Sequence, residues 1–279
     1  MSGIVTAGLD IGSTTTKVAV LADGEVRATR LAATGANCRR TALALLSEAL
    51  DEAGLAAAEV QYVVSTGYGR RIVEASDEAI SEITANAVGA QWCMGAGPQV
   101  RTIIDIGGQD SKVISLDDQG HMTNFAMNDK CAAGTGRFLE VMARILEVDL
   151  EQLGSLGVRS TETLAISSLC TVFAESEVIS LLAQGKAVPD IVAALHASIA
   201  RRVGALARTV GVVPTVFFDG GPALNSGLKE ALEQELGVAL HVPPAPQTVT
   251  AVGAAVLAAR RVEAGAQGAP LALTVAETA

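Results

Sequence analysis

Two cysteines stand where sulfur chemistry is possible: Cys131 in Asn128-Asp129-Lys130-Cys131-Ala132-Ala133-Gly134-Thr135-Gly136, and Cys170 in Ser167-Ser168-Leu169-Cys170-Thr171-Val172. The sequence predicts a helix directly after each. A helix N-terminus carries about half a positive charge, which lowers thiol pKa and stabilises an anionic thiolate or an iron–sulfur cluster placed there. Two thiols in one chain cannot complete a four-thiolate cluster, but two chains meeting at a two-fold axis supply four. The pair therefore predicts a dimer sharing one [4Fe–4S] cluster. Zinc also takes four thiolates, and a disulfide is possible on counting alone, although a reducing compartment disfavours it. Cys38 and Cys93 lack such surroundings and read as small apolar core residues.

A second kind of chemistry is written in glycine turns. Asp10-Ile11-Gly12-Ser13-Thr14-Thr15-Thr16-Lys17 is matched, 95 positions later, by Asp105-Ile106-Gly107-Gly108-Gln109-Asp110-Ser111-Lys112. The octets share Asp, Ile, Gly and Lys in register. Glycine lets backbone N–H groups come close to an anion, and Ser13, Thr14, Thr15 and Thr16 add hydroxyl donors, so each turn reads as a phosphate cradle. Asp10 and Asp105, at strand ends, are suited to holding Mg²⁺ through water, and Gln109 to orienting a hydrolytic water. Lys17 and Lys112 either reach phosphate or flank the hairpins. His121, His196 and His241 are scattered without metal-ligand spacing and read as surface or core residues.

The elements that must carry these turns follow from the flanks. Ile4–Leu9 and Val18–Leu21 bracket the first octet, with Asp23-Gly24 closing a hairpin; Val100–Ile104 and Val113–Leu116 bracket the second, with Asp118-Gln119-Gly120 closing another. The same strands around the same octet signal an internal duplication and hence two similar domains with a cleft between them. A third strand-to-glycine turn, Val216-Phe217-Phe218-Asp219-Gly220-Gly221-Pro222-Ala223-Leu224-Asn225, enters a helix predicted at 228–236 and closed by Gly237. Alanine- and leucine-rich segments at 40–53, 136–146, 172–183, 189–210 and 251–263 read as helices, which makes the class α/β. We divide the chain into residues 1–98, residues 99–264 with both site cysteines and a last helix free to pack back on the first domain, and a flexible tail at 265–279.

Composition narrows the function. The chain has 279 residues, 20 Lys and Arg against 30 Asp and Glu, a net charge of −10, and only one Trp, two Tyr and five Phe. That acidic balance, with no basic block, argues against electrostatic nucleic-acid binding. The apolar run at 249–259 is well short of the ~20 residues of a membrane helix. The start runs straight into a strand without a leader-like pattern, so a cytoplasmic location is expected.

In outline the sequence resembles the acetate and sugar kinase, Hsp70 and actin superfamily, which implies a duplicated actin-like ATPase fold with ATP as ligand. In that resemblance Asp10–Lys17 match the first phosphate motif, Asp105–Ser111 the second, and Gly220-Gly221 with Asn225 the adenosine motif. The cysteine segments, with Ser65-Thr66-Gly67-Tyr68-Gly69-Arg70 and Ser81-Glu82-Ile83-Thr84-Ala85, resemble more specifically the activators of 2-hydroxyacyl-CoA dehydratases and the ATPase subunits of benzoyl-CoA reductase, the BadF/BadG/BcrA/BcrD type, over about residues 4–260. This implies one [4Fe–4S] cluster held by Cys131 and Cys170 between two ATP-binding chains. It also implies Mg²⁺, a reduced ferredoxin or flavodoxin as electron donor, and an acyl-CoA dehydratase or benzoyl-CoA reductase component as acceptor. The Asp219-Gly220-Gly221-Pro222 form leans toward the reductase subunits. The rival readings are a small-molecule kinase of the same fold, indifferent to both cysteines, and a nucleotide-switched assembly factor without redox chemistry.

Overall fold

A computed structural model describes residues 3–167 and 170–273. The chain divides into two compact units, with boundaries at 97/98 and 246/247. In the first unit β1 (Val5–Ile11), β2 (Thr15–Ala22) and β3 (Glu25–Ala33) form an antiparallel meander, joined on the other side of β1 by the parallel β4 (Tyr62–Thr66) and then β5 (Glu78–Ala79), in the order β3-β2-β1-β4-β5. In the second unit β6 (Thr102–Ile106), β7 (Ser111–Leu116), β8 (Met122–Asn128), β9 (Val216–Asp219) and β10 (Leu240–His241) repeat that topology in the order β10-β9-β6-β7-β8. The duplication read from two octets thus extends to whole sheets.

Both faces of β1 are covered, and its alternation shows how. Val5, Ala7, Leu9 and Ile11 pack with Leu43, Leu46 and Leu50 of α1 (Cys38–Ala53). On the opposite face Thr6 Oγ1 donates to the Ala255 carbonyl at 3.0 Å, and Gly8 lies beneath α8 (Val249–Glu263), where a Cβ would overlap the Ala251 carbonyl oxygen. In the second unit α3 (Gly136–Ile145), α6 (Val188–Val210) and α7 (Ser226–Leu236) build one core from Phe138, Leu139, Met142, Ile191, Leu195, Ile199, Leu228 and Leu232 against Ile104, Ile106 and Phe218. The short α4 (Leu153–Gly157) and α5 (Thr171–Ala183) complete it.

The last helix, α8, belongs to the first unit, where it crosses α2 (Glu82–Met94) at backbone contact. A Cβ on Gly253 would fall inside the Ala85 carbonyl oxygen and 2.6 Å from the Gly89 nitrogen. Gly253→Ala therefore reverses the usual sign of a glycine-to-alanine change in a helix, which is about 1 kcal/mol stabilising. The helices must separate, and we expect a loss on the order of 3 kcal/mol, read as a lower urea midpoint; an unchanged or raised midpoint would contradict the close crossing.

The tail differs from expectation. The Gly268 N–H donates to the Gln61 carbonyl at 3.1 Å, the Ala269 N–H to Asp77 Oδ1 at 2.7 Å, and Leu271 and Leu273 pack on the core of the first unit. Backbone donors that find fixed acceptors, with apolar side chains beside them, hold a segment whose composition alone reads as frayed. Residues 274–279 lie outside the described residues. Among the described residues no helix is long and apolar enough to cross a membrane.

Candidate functional site

The first turn joins β1 to β2. The Gly12 N–H bonds the Thr15 carbonyl at 3.1 Å, and a Cβ at Gly12 would lie 2.8 Å from that same oxygen. Antiparallel register sets Asp10 opposite Lys17, and Lys17 Nζ meets Asp10 Oδ2 at 3.0 Å. Ser13 is exposed and Thr14 and Thr15 are half-buried. Thr14 Oγ1 is buried with no hydrogen-bond partner among the described residues, the kind of polar atom a bound ligand satisfies. Thr16 departs from expectation. It is fully buried and its hydroxyl pairs at 3.0 Å with that of Thr34, which also donates to the Gly12 carbonyl at 2.8 Å. Strand alternation turns Thr16 inward, so it braces the turn instead of lining it.

The second turn repeats this geometry. The Gly107 N–H bonds the Asp110 carbonyl at 2.9 Å, and Lys112, opposite Asp105 in register, reaches Asp105 Oδ2 at 3.3 Å and Asp110 Oδ1 at 2.8 Å. Lys17 and Lys112 are thus each committed to the Asp of their own octet. Gln109 is exposed at the tip of the turn, and Gly108 beside it is half-buried. The carbonyls of Gly107 and Gly108 accept, each at 2.9 Å, the Gly136 and Arg137 N–H groups of the first turn of α3.

The third turn follows β9. Gly220 has φ 86°, and a Cβ there would overlap the Ile106 carbonyl oxygen and lie 3.0 Å from Asp105 Oδ1. Gly221 opens a single 3-10 turn ending at Leu224. Asn225 then caps α7, its Oδ1 accepting from the Leu228 N–H at 2.9 Å and its Nδ2 standing 3.0 Å from His196 Nε2. Its amide is therefore already committed within the protein.

Sequence reading missed two parts of this arrangement. Gly67, with φ 85°, follows β4 as Gly220 follows β9; a Cβ there would lie 2.6 Å from the Ile11 carbonyl oxygen and 2.8 Å from Asp10 Oδ1. Asp219, buried, pairs in register with Asp105 on the parallel strand as Thr66 pairs with Asp10. The signal was present in the glycine after each parallel strand, but the flanking residue types differ and hid the repeat.

His196 shows how tightly the α6–α7 packing is drawn. Because Asn225 Oδ1 already accepts from the Leu228 N–H, Nδ2 donates to His196 Nε2, which assigns the imidazole proton to Nδ1. Burial pushes its pKa from 6.5 down to about 4. The unfolded chain binds the extra proton first, so stability is complete above pH 6.5 and declines as pH falls toward about 4. We expect the stability gap between wild type and His196→Gln to narrow by ~3 kcal/mol across that window in urea titrations; a constant gap would refute the assignment.

The site cysteines both lie in the second unit and differ in setting. Cys170 is exposed and is itself the N-cap of α5, its carbonyl accepting from the Ala174 N–H at 2.9 Å. Cys131 is half-buried in the loop between β8 and α3 and does not directly precede a helix as expected: α3 is capped by Thr135, because Gly134 at φ 91° turns the chain before the helix can start. The helix-terminus argument therefore holds for Cys170 alone. Asn128 Nδ2 donates to the Cys131 carbonyl at 3.0 Å, and Arg202 Nη1 stands 3.8 Å from its sulfur. Ahead of Cys170, the Ser167 N–H meets both Glu177 carboxylate oxygens, at 3.0 and 3.2 Å. Ser168 and Leu169 lie outside the described residues. All four cysteines are free, and among the described residues no three metal-ligating side chains gather.

Known proteins resemble this chain in sequence and fold. A family model described as the BadF/BadG/BcrA/BcrD ATPase family matches residues 7–258. The (R)-2-hydroxyglutaryl-CoA dehydratase activating ATPase of Acidaminococcus fermentans is 48% identical over 260 residues, 92% of this chain and 98% of that one. A benzoyl-CoA reductase subunit of Thauera aromatica is 33% identical over 270 residues, 93% of this chain and 94% of that one, so overall kinship runs against the leaning drawn from the Asp219–Pro222 segment. The crystal structure of the Acidaminococcus fermentans (R)-2-hydroxyglutaryl-CoA dehydratase component A superposes with a TM-score of 0.89 at 47% identity, covering 93% of this chain and 99% of that one. The shared architecture is the duplicated actin-like ATPase fold.

Proposed function

This chain belongs to the BadF/BadG/BcrA/BcrD ATPase family, and we propose that it is an ATP-hydrolysing activator that passes a low-potential electron to a 2-hydroxyacyl-CoA dehydratase. Cys131 and Cys170 from each of two copies would hold one [4Fe–4S] cluster. The donor set fits such a group: two free thiols in one unit, one exposed and one half-buried with an arginine N–H aimed at its sulfur. The exposed surface of α5 supports a second copy beside them, because Val172 and Ile179, an i, i+7 pair on one face, and Phe173 next to Val172 stand at 65%, 52% and 68% exposure. The bound cluster supplies one-electron chemistry.

The observation that carries the reading is the pair of hydrogen bonds from Gly136 and Arg137 to the carbonyls of Gly107 and Gly108. They join a turn suited to nucleotide phosphate to the helix that directly follows the Cys131 loop, so a change at the turn bears on the cysteine through rigid backbone. In this reading the Gly12–Thr15 and Gly107–Gly108 turns would receive phosphate oxygens, Asp10 and Asp105 would hold hydrated Mg²⁺, which would supply charge stabilisation of the phosphates, Gln109 would orient the attacking water, and Gly220 and Gly221 would admit the adenosine. Lys17 and Lys112 stand beside Asp10 and Asp105 as counter-charges, at 3.0 and 3.3 Å. A reduced ferredoxin or flavodoxin serves as donor, and a reducing cytoplasm suits four free thiols.

The test is anaerobic purification with iron, sulfide and zinc analysis, a visible spectrum with and without Mg-ATP, and activation of a 2-hydroxyacyl-CoA dehydratase by the reduced protein. About four irons per dimer, a brown chromophore altered by nucleotide, and ATP-dependent activation are expected. A colourless protein after reconstitution that phosphorylates a small molecule would establish the kinase reading instead.

A further inference from the structure

We propose that Arg202 is a positioning residue for Cys131, its guanidinium donating to the sulfur and raising the reduction potential of the cluster that this cysteine holds. The inference rests on the cluster reading above. Arg202 lies on α6, 71 positions from Cys131 along the chain, and its Nη1 approaches Sγ at 3.8 Å. The contact is built from both partners. Gly134, at φ 91°, faces the arginine stem, and a Cβ there would lie 2.8 Å from Arg202 Cδ, so the loop closes over the side chain only because this residue is glycine. Asn128 fixes the other end of the loop through the Cys131 carbonyl at 3.0 Å. On the same helix Arg201 Nη2 donates at 3.1 Å to the carbonyl of Ile166, in the segment that leads to Cys170. Consecutive arginines on one long helix thus tie the approaches to both cysteines.

The sign of the effect follows from charge. Reduction adds one electron, taken from a one-electron flavin or iron–sulfur carrier, without making or breaking a bond, and part of the added negative charge falls on the ligating sulfurs. A cation and N–H donor held against one of them stabilises the reduced form more than the oxidised form, which raises the potential.

The experiment uses the full-length protein reconstituted anaerobically as wild type, Arg202→Gln, Arg202→Lys and Arg208→Gln, with iron per chain and a redox titration followed by electron paramagnetic resonance and visible absorption. Arg208 is on the same helix but exposed and paired with Glu235 at 2.9 Å, so its replacement controls for the loss of one charge. We expect Arg202→Gln to keep its iron and, at a fixed potential, to show about a tenfold lower ratio of reduced to oxidised cluster, a midpoint ~59 mV more negative. Arg202→Lys should recover part of that shift and Arg208→Gln should show none. A wild-type midpoint in an iron-replete Arg202→Gln protein would overturn the proposal, as would iron loss in which the residual cluster keeps the wild-type midpoint. If Arg202→Gln holds no iron, Arg202→Lys decides: a displaced midpoint supports the proposal and an undisplaced one overturns it. Wild-type protein without iron removes the cluster reading itself, which separates that failure from the failure of Arg202's role.

Discussion

Cys131→Ala and Cys170→Ala are each expected to lower bound iron from about four per dimer to near zero while leaving ATP affinity within about twofold of wild type. The selectivity follows from where the thiols sit. Cys170 is exposed and Cys131, though it packs on the core of the second unit, is only half-buried, so each truncation removes one partly exposed sulfur, and the folding cost should stay within about 1 kcal/mol. The hydrogen bonds of the glycine turns involve no cysteine, so the phosphate cradles should survive intact. Cys38→Ala and Cys93→Ala supply the contrast and should retain full iron. Iron analysis with isothermal titration of nucleotide reads both quantities on one preparation. Full iron in either Cys131→Ala or Cys170→Ala would remove that residue from the ligand set, and joint loss of iron and ATP binding would point to collapse of the second unit.

Asp105→Asn and Asp10→Asn should each reduce kcat for ATP hydrolysis on the order of 10²-fold at saturating Mg-ATP, the scale seen when one preorganised electrostatic group is lost from an active site. Asn preserves shape and removes the charge that orients a hydrated Mg²⁺. For Asp105 the fold should tolerate the change, because buried Lys112 keeps Asp110 Oδ1 at 2.8 Å as counter-charge; deleting every partner of a buried charge would cost far more. The check is a phosphate-release assay beside a thermal melt. Unchanged hydrolysis would reduce both aspartates to structural partners of Lys17 and Lys112.

Much of this was legible in consecutive residues. The paired octets announced two similar sheets because an Asp-Ile-Gly turn between strands is a local pattern of burial and backbone freedom, and the third glycine turn with Asn225 and Gly237 bracketed α7 for the same reason. The two cysteine segments, read with the turns, pointed to the family that the comparisons then showed. The N-terminal position of Cys170 was correct to the residue, whereas Cys131 missed its helix by the Gly134 turn.

What only the tertiary structure decided are relations between residues far apart in the chain. Thr16 turns inward because Thr34 and the strand pleat receive it, Lys17 and Lys112 settle on the aspartates opposite them in register, and Gly253 meets Ala85 at a helix crossing. Gly268 and Ala269 find acceptors at Gln61 and Asp77, and Arg202 finds a sulfur 71 positions away. Turn geometry and helix caps are set within a few residues by φ preferences and local hydrogen bonds, so composition and spacing encode them directly. Register pairing, helix crossing and a guanidinium on a thiol depend on where two separately formed elements come to rest, and that is set by packing of the whole core rather than by any local pattern.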